Sequence, residues 1–279
     1  MLRQRVITAL VLLALLLPAL FAVQTWPFAV LTMVMIAAAG WEWGRLNGAG
    51  SGAASMGLGL ALAVACAAAL GLGWSSSAPP AAWWLATLLW VLGGAWALRG
   101  GPGAWPKLAP ALRWLVGVLL LWVAWLAIVN AKAIGINFIL SVFCLVWAAD
   151  IAAYFGGRAF GRRKLAPSIS PGKTWEGVWS GMLGALMLAG FWLWLDRSIA
   201  TDSASLYSRV ASALGLAGLL PVVLFLAAMS VVGDLFESLV KRSVGAKDSS
   251  GLLPGHGGLL DRFDALLPVF PIAMAMGSL

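Results

Sequence analysis

The sequence predicts an all-α, polytopic integral membrane protein, and three observations carry that prediction. Apolar residues make up 62% of the 279 positions and charged residues only 10%, with a mean hydropathy of +0.96. Soluble domains are about 45–50% apolar and about 25% charged. Apolar runs recur along the whole chain, and no polar block is large enough to fold as a separate soluble unit. We therefore expect a single integral membrane domain over residues 1–279.

Nine apolar runs are candidate transmembrane helices, separated by glycine, proline or charged residues. They lie near residues 6–23, 27–41, 53–73, 82–98, 112–130, 134–149, 177–195, 211–233 and 265–278. Since a span needs about 20 residues, the second and sixth runs should extend past Glu42 and Asp150, and the last run is short. The first run follows Arg3 and Arg5. Its length favours an uncleaved first helix over a secretory signal.

The basic residues predict the orientation of the helices. With nine spans and a cytoplasmic N-terminus, fifteen of the eighteen Lys and Arg lie inside, and only Lys132, Arg197 and Arg209 lie outside. This bias explains the net charge of +8 better than nucleic-acid binding does, because the basic residues are scattered between apolar spans. The same topology puts the loops 150–176 and 234–264 on the cytoplasmic side. We interpret residues 1–133 as scaffold helices and residues 134–279 as the catalytic helices.

Residues 234–264 form the most polar segment, with five of the chain's ten carboxylates and its only histidine. If the eighth span continues as a helix, four polar residues share one face: Asp234, Glu237, Ser238 and Lys241. Asp261 and Asp264 lie one turn apart at the start of the last span. The glycine-rich loop between them lets backbone N–H groups approach phosphate oxygens. Carboxylates favour hard cations, and Lys and Arg bind phosphate, so the segment predicts a site for a polyphosphate with its metal ion.

The loop 150–176 carries a second polar group. Asp150 and Tyr154 are four residues apart and share a helix face at the end of the sixth span. Ser170 followed by Pro171 is typical of a helix start, whose free N–H groups can bind an anion. Two side chains close to that start favour the same role: Lys173 and Thr174. The basic residues between 158 and 164 could instead serve only as topology charges.

Several of these residues also have a simpler structural explanation. A turn explains Asp248, an i+4 pair with Lys241 explains Glu237, and a helix cap explains Asp264. His256 has no second histidine or cysteine near it, so it is not a zinc ligand. Asp234 and Asp261 are the hardest to explain in this way, because each lies at the edge of an apolar span.

The segment 238–264 resembles the signature of the phosphatidate cytidylyltransferases, also called CDP-diglyceride synthases. It reads Ser238-x₂-Lys241-Arg242-x₄-Lys247-Asp248-x₅-Pro254-Gly255-His256-Gly257-Gly258-x₂-Asp261-Arg262-x-Asp264, with thirteen identities over 27 residues. The stretches Lys164-Leu-Ala-Pro and Ser170-Pro-Gly-Lys-Thr-Trp-Glu-Gly are similar to the family's other polar loop. Gly172 stands where that family often has a second lysine. Over the first 130 or so residues the resemblance rests on the hydrophobic layout alone.

The resemblance implies an enzyme, a nucleotidyltransferase of phospholipid biosynthesis in the inner membrane, that converts CTP and phosphatidate into CDP-diacylglycerol and pyrophosphate. It implies Mg²⁺ bound by Asp234 and Asp261, with a K⁺ ion beside it. The other implied catalytic residues are Lys241, Arg242, Lys247, Asp248, Arg262 and Asp264. The implied substrate-binding residues are Ser238, Lys173, Thr174, His256, Gly257, Gly258 and Asp150. Membrane lipid is an expected partner and nucleic acid is not, and a homodimer is compatible with the chain.

Three other classes of membrane protein also carry groups of charged residues among their apolar helices. CDP-alcohol phosphatidyltransferases need a D-x₂-D-G-x₂-A-R helix motif, which this sequence lacks. Prenyl-phosphate transferases fit the charge pattern but lack the His-Gly-Gly signature. An ion-coupled transporter would carry its carboxylates near the midplane, often in matched halves, whereas these lie at one membrane face and the two halves differ.

Overall fold

A computed structural model describes residues 2–279, except for the side chains of Leu2, Arg3 and Arg5, and it is almost entirely helical. The helices are α1 (Leu2–Phe21), α2 (Trp26–Leu46), α3 (Ala53–Gly71), α4 (Pro80–Gly100), α5 (Pro110–Ile134), α6 (Ile136–Phe160), α7 (Trp175–Ser198), α8 (Leu206–Ser243), α9 (Leu260–Phe263) and α10 (Leu266–Gly277). Within this part of the chain, seven helices, α2 to α8, are long and apolar enough to cross a membrane. The chain is therefore an all-α, multi-pass membrane protein with one small hairpin.

The first and last predicted spans differ from the other seven. The apolar part of α1 covers only Val6–Phe21, and α10 has 12 residues. At 1.5 Å per residue, α10 is about 18 Å long, well short of the roughly 30 Å hydrocarbon core. Nine crossings and a cytoplasmic N-terminus therefore stay predictions. The second and sixth runs do extend past Glu42 and Asp150, because α2 ends at Leu46 and α6 at Phe160.

Helix α8 carries polar side chains near its C-terminal end, next to the loop that follows it. The Ser205 hydroxyl caps its first turn by accepting from the Ser208 N–H, 3.2 Å away. The helix is interrupted at Gly215, where φ is 71°, a backbone conformation that favours glycine. From there it continues without a break to Ser243. The prediction that the eighth span extends as a helix through Lys241 is confirmed.

The chain between α6 and α7 forms a β-hairpin, so the helix start predicted at Ser170–Pro171 is wrong. Strand β1 (Lys164–Ala166) pairs antiparallel with β2 (Ser170–Thr174). This pairing keeps the Ser-Pro dipeptide extended, because strand partners several residues away outweigh its local helix preference. Helix α7 begins at Trp175 instead, and the Thr174 hydroxyl caps it by accepting from the Gly177 N–H at 3.2 Å.

Helices α6 and α7 form the most extensive helix pair in the structure, and small residues line their contact. A Cβ atom built on Gly181 would lie 2.8 Å from the Ala149 carbonyl oxygen, and one on Gly184 would lie 2.6 Å from the Ala152 Cβ. Small residues let membrane helices approach closely at such positions. The close approach fixes the distance between the polar residues at the loop ends of both helices.

We expect Gly184→Leu to lower the apparent melting temperature of the detergent-purified protein by about 5 °C, since overpacking a tight contact costs about 1–3 kcal/mol. Gly190→Leu is the matched control, because a Cβ on Gly190, in the same helix, meets nothing within 4 Å. Light scattering or dye-based melting curves of both variants provide the comparison. Equal melting temperatures for the two variants would contradict the close packing of α6 on α7.

Candidate active site

A cavity of about 560 Å³ opens between α6, α7, α8 and the hairpin. Its charged and hydroxyl lining includes Asp150, Tyr154, Arg158, Ser170, Lys173, Thr174, Ser230 and Asp234. Its apolar lining includes Ala149, Ala153, Val178, Met182, Ala227 and Val231. The lining residues farthest from the polar loops along each helix, Ala149, Met182 and Ala227, are all apolar. The charged residues Arg158, Lys173 and Asp234 lie nearer the loops, and the deeper lining is mostly apolar, with Asp150 and Ser230 as the polar exceptions.

An ion pair at the polar end joins the two polar segments predicted from the sequence. The Lys173 Nζ lies 2.7 Å from the Asp234 Oδ2, and the Ser238 hydroxyl donates to the Asp234 Oδ1 at 3.3 Å. The Lys173 and Asp234 side chains remain 26% and 31% exposed, so both charges can reach a ligand. Asp150 and Tyr154 line the same cavity, which confirms that they share a helix face.

A second cluster of charges lies beside the cavity and is buried. The Lys241 ammonium contacts the buried Glu237 carboxylate and donates to the Asp261 Oδ1 at 2.6 Å. Asp261 also accepts from the Gly258 N–H at 2.7 Å and from the Ser249 N–H at 3.0 Å. Burial opposes ionisation of Asp261, yet the Lys241 ammonium and the Gly258 N–H, which both donate to it, lower its pKa to about 2. Asp261 is therefore a carboxylate held in place by the loop that surrounds it.

The polar stripe predicted along α8 divides between these two groups. Asp234 and Ser238 contact each other at the cavity, whereas Glu237 and Lys241 pair in the buried cluster beside Asp261. The i+4 pair of Glu237 and Lys241 exists, but it is buried rather than on the helix surface. The four residues share one face but extend over seven residues, about 10 Å along the helix axis, so the two ends of the stripe meet different partners.

The two carboxylates predicted to share a metal ion each have a different lysine partner. Among the described side chains, no cluster of three or more His, Cys, Asp or Glu is arranged to hold an ion. Asp234 nevertheless fits a cation, because its side chain lines the cavity and is 31% exposed. Burial and the negative charge of Asp234 raise the pKa of Asp264 to about 7, so Asp264 holds its proton to a much higher pH than a carboxyl in water does. A metal ion at Asp234 stays a prediction.

Two signature arginines bind backbone carbonyl groups in this structure. The Arg242 Nε donates to the Ile169 carbonyl at 3.4 Å and its Nη1 to the Ala246 carbonyl at 3.1 Å, which joins the hairpin to the loop after α8. The Arg262 Nη2 donates to the His256 carbonyl at 2.7 Å. These contacts shape the loop around the site.

The remaining signature residues lie in the loop between α8 and α9. Lys247 and Asp248 are exposed, and neither lines the cavity. The His256 Nδ1 is buried and has no hydrogen-bond partner among the described residues. Gly257 has a φ of 80°, and a Cβ there would lie 2.6 Å from the Asp261 Oδ2. The loop also accepts from α1, because the Thr8 hydroxyl donates to the Pro254 carbonyl at 3.1 Å.

Glu42 belongs to the site region, although sequence reasoning had not included it among the candidates. Its side chain is fully buried in α2, and its carboxylate accepts from the loop that holds Asp261. The available signal was that Glu42 is the only carboxylate before Asp150.

Together, the helical fold and the cavity with its accessible Lys173–Asp234 pair define an integral membrane protein with a candidate site for a charged ligand. The chain matches the cytidylyltransferase family over residues 3–279 and belongs to that family, whose members are nucleotidyltransferases. This membership confirms the resemblance predicted from the signature.

Three curated relatives document the similarity. The phosphatidate cytidylyltransferase of Pseudomonas aeruginosa is 38% identical over 281 residues, which cover 99% of this chain and 97% of that protein. The Haemophilus influenzae protein of that name is 47% identical over 137 residues, 49% of this chain and 44% of the relative. The Bacillus subtilis protein of that name is 40% identical over 143 residues, 51% of this chain and 48% of the relative.

Proposed function

We propose that this chain is a phosphatidate cytidylyltransferase, which converts CTP and phosphatidate into CDP-diacylglycerol and pyrophosphate. The observation that carries the proposal is the cavity whose accessible Lys173–Asp234 pair lies at the end of apolar walls. An amphiphile with a phosphate head and acyl chains matches that division of polar and apolar surface. The names of the relatives, one of which matches 99% of the chain, support the same substrates.

The reaction needs little covalent assistance from the protein. The phosphate of phosphatidate is already anionic, so it can attack the α-phosphorus of CTP without a strong general base. The site has to bring two anions together in line and stabilise the departing pyrophosphate. Lys173 and Arg158 line the cavity and supply positive charge for the phosphates. Asp234 holds the Lys173 ammonium in position through the 2.7 Å contact.

Mg²⁺ is the metal ion that we propose for this site, with Asp234 and Asp261 as its carboxylate ligands. When bound beside the nucleotide phosphates, Mg²⁺ supplies charge that offsets the developing negative charge. Asp234 suits the role better, since it is partly exposed to the cavity, whereas Asp261 is engaged by Lys241, Ser249 and Gly258. A K⁺ ion as a second cation stays a prediction from the family resemblance.

We propose an active site at the cytoplasmic face of the inner membrane. Phosphatidate stays in the leaflet while CTP arrives from the cytosol, so a site at the membrane boundary serves both. The hairpin with its lysines and the signature loop meet at this end of the helices, as the bias of positive residues predicts. Nucleic acid has no role in the reaction, and a homodimer stays a prediction.

The test is a product assay with the detergent-purified protein. With CTP, phosphatidate and Mg²⁺ we expect CDP-diacylglycerol and pyrophosphate in equal amounts. Reactions without phosphatidate or with a chelator are the controls, and neither should release pyrophosphate. Absence of both products across titrations of Mg²⁺ and K⁺ would refute the proposed function.

A further inference from the structure

Glu42 lies in the N-terminal half of the chain, and its carboxylate accepts hydrogen bonds from the 249–260 loop in the C-terminal half. It is 0% exposed, in a helix whose only other charged residue is Arg45 in the last turn. Its Oε1 accepts from the Leu259 N–H at 3.0 Å and its Oε2 from the Leu260 N–H at 2.7 Å. The hydroxyls of Ser249 and Ser250 also contact it, the first at 3.1 Å. These partners are 207 to 218 residues away in the chain.

Hydrogen bonds from the loop explain why the Glu42 carboxylate can be buried. Burying a carboxylate is costly unless hydrogen bonds replace its water, and Glu42 has these replacements from one loop alone. The Leu259 and Leu260 N–H groups lie at the start of α9, where backbone donors have no partner inside the helix. Glu42 therefore accepts the hydrogen bonds that these loop N–H groups need, and the loop donors replace the water that the carboxylate loses on burial.

Ser249 and Gly258 lie between the Glu42 carboxylate and Asp261 and connect the two. The Ser249 Oγ lies 3.1 Å from the Glu42 Oε2 and 3.0 Å from the Asp261 Oδ2. Gly258 donates its N–H to Asp261, and a Cβ on it would lie 2.3 Å from the Glu42 Oε1. A methyl group on Gly258 would overlap the Glu42 carboxyl group and the Ser249 hydroxyl. The position of Asp261 thus depends on the position of Glu42, although the two do not touch.

We propose that Glu42 is a positioning residue for the transfer reaction. It holds the 249–260 loop against α2, so that Asp261 keeps its hydrogen bond with Lys241. Glu42 does not line the cavity and has no exposed surface, so it acts through the loop and not on substrate. This inference rests on the proposed function for its kinetic readout. It also assigns the scaffold half of the chain a direct part in the site.

The first test is the variant Glu42→Gln. The glutamine oxygen can accept from one of the two N–H groups, but its amide nitrogen then faces the other donor. We expect kcat to fall about 30-fold, the equivalent of losing charge-assisted hydrogen bonds, with the KM of CTP and phosphatidate changed less than about threefold. Thr32→Val is the matched control with unchanged kcat, because Thr32 is buried in the same helix and bonds only to the Phe28 and Ala29 carbonyls.

The second test does not use activity. Lys247 is an exposed trypsin site in the loop, and cleavage there requires the loop to open locally. We expect Glu42→Gln to be cut at Lys247 about tenfold faster than the wild-type protein, since each 1.4 kcal/mol lost from the closed state raises the open population tenfold. Thr32→Val should be cut at the wild-type rate.

A third variant keeps the proposal testable if Glu42→Gln does not fold. Ser249→Ala removes the hydroxyl that lies between Glu42 and Asp261, and we expect it to lower kcat in the same direction. If Glu42→Gln does fold, the kcat losses of Glu42→Gln and Ser249→Ala should not add in the double variant, because both act through Asp261.

Wild-type kcat and a wild-type cleavage rate in Glu42→Gln would overturn the inference. So would a lower melting temperature with unchanged kcat, since that is the signature of a structural role alone. If the wild-type protein makes no CDP-diacylglycerol, the proposed function fails, and the cleavage rates still decide whether Glu42 holds the loop.

Discussion

Asp234→Asn should reduce cytidylyl transfer by about 10²–10³-fold in kcat while the protein still folds, because removing one group that stabilises the transition state costs about that much. The asparagine keeps the size of the side chain but loses its charge. Its amide would place a donor or a neutral oxygen where the Lys173 ammonium now binds a carboxylate at 2.7 Å. Asp234 is also the carboxylate best exposed to a metal ion. Radiolabelled CTP and thin-layer separation of the lipid product measure the loss.

Glu176→Gln is the matched control for Asp234→Asn. Glu176 lies in the same polar region and accepts from the Arg162 and Arg163 backbone N–H groups, but it does not line the active-site cavity. We expect Glu176→Gln to keep activity within about threefold, as removal of one exposed ion pair costs about 1 kcal/mol or less. Near-normal turnover in Asp234→Asn would remove this residue from the site.

Lys241→Met should abolish activity and also destabilise the fold. The Lys241 ammonium lies between Glu237 and Asp261, whose side chains are 1% and 7% exposed. Removing it leaves two buried carboxylates without their cation. Breaking a buried pair in this way costs about 3–5 kcal/mol. We expect a fall of about 10 °C in the apparent melting temperature of the purified protein, at about 2–4 °C per kcal/mol for a chain of this size.

Two further variants separate charge from packing in that cluster. Lys247→Met, which removes an exposed lysine of the same loop, should leave the melting temperature unchanged. The double variant Glu237→Gln with Lys241→Met should regain part of the stability, since it removes one of the two uncompensated charges. A Lys241→Met protein as stable as Lys247→Met would mean that the buried cluster contributes nothing to the fold.

Local patterns in the sequence predicted the parts of the site that depend on neighbouring residues. The periodicity of α8 predicted a helix through Lys241, and the bias of basic residues put Lys173 and Asp234 at the same end of the helices. The signature predicted the loop that surrounds Asp261. Family membership then confirmed the resemblance on which the substrate proposals rest.

The predictions that failed or were missing concern contacts between distant residues. Ser170 and Pro171 read as a helix start, yet pairing with β1 makes them a strand. The division of the polar stripe on α8 depends on which residues of other helices and loops each side chain contacts. The spacing of residues within one helix does not predict those contacts. Glu42 could not be placed from sequence, because its partners begin at Ser249, 207 residues later.

The central proposal is that phosphatidate attacks CTP directly in this cavity, without a covalent nucleotidyl-enzyme. Two of the four hydroxyl residues that line it have other roles, because Thr174 caps α7 and Ser230 donates to the Ala227 carbonyl at 2.8 Å. The imidazole of His256 is not part of the cavity lining. The most direct measurement is the configuration at phosphorus after transfer from CTP carrying a chiral α-phosphorothioate. A single in-line displacement predicts inversion in the CDP-diacylglycerol product, and retention would contradict it.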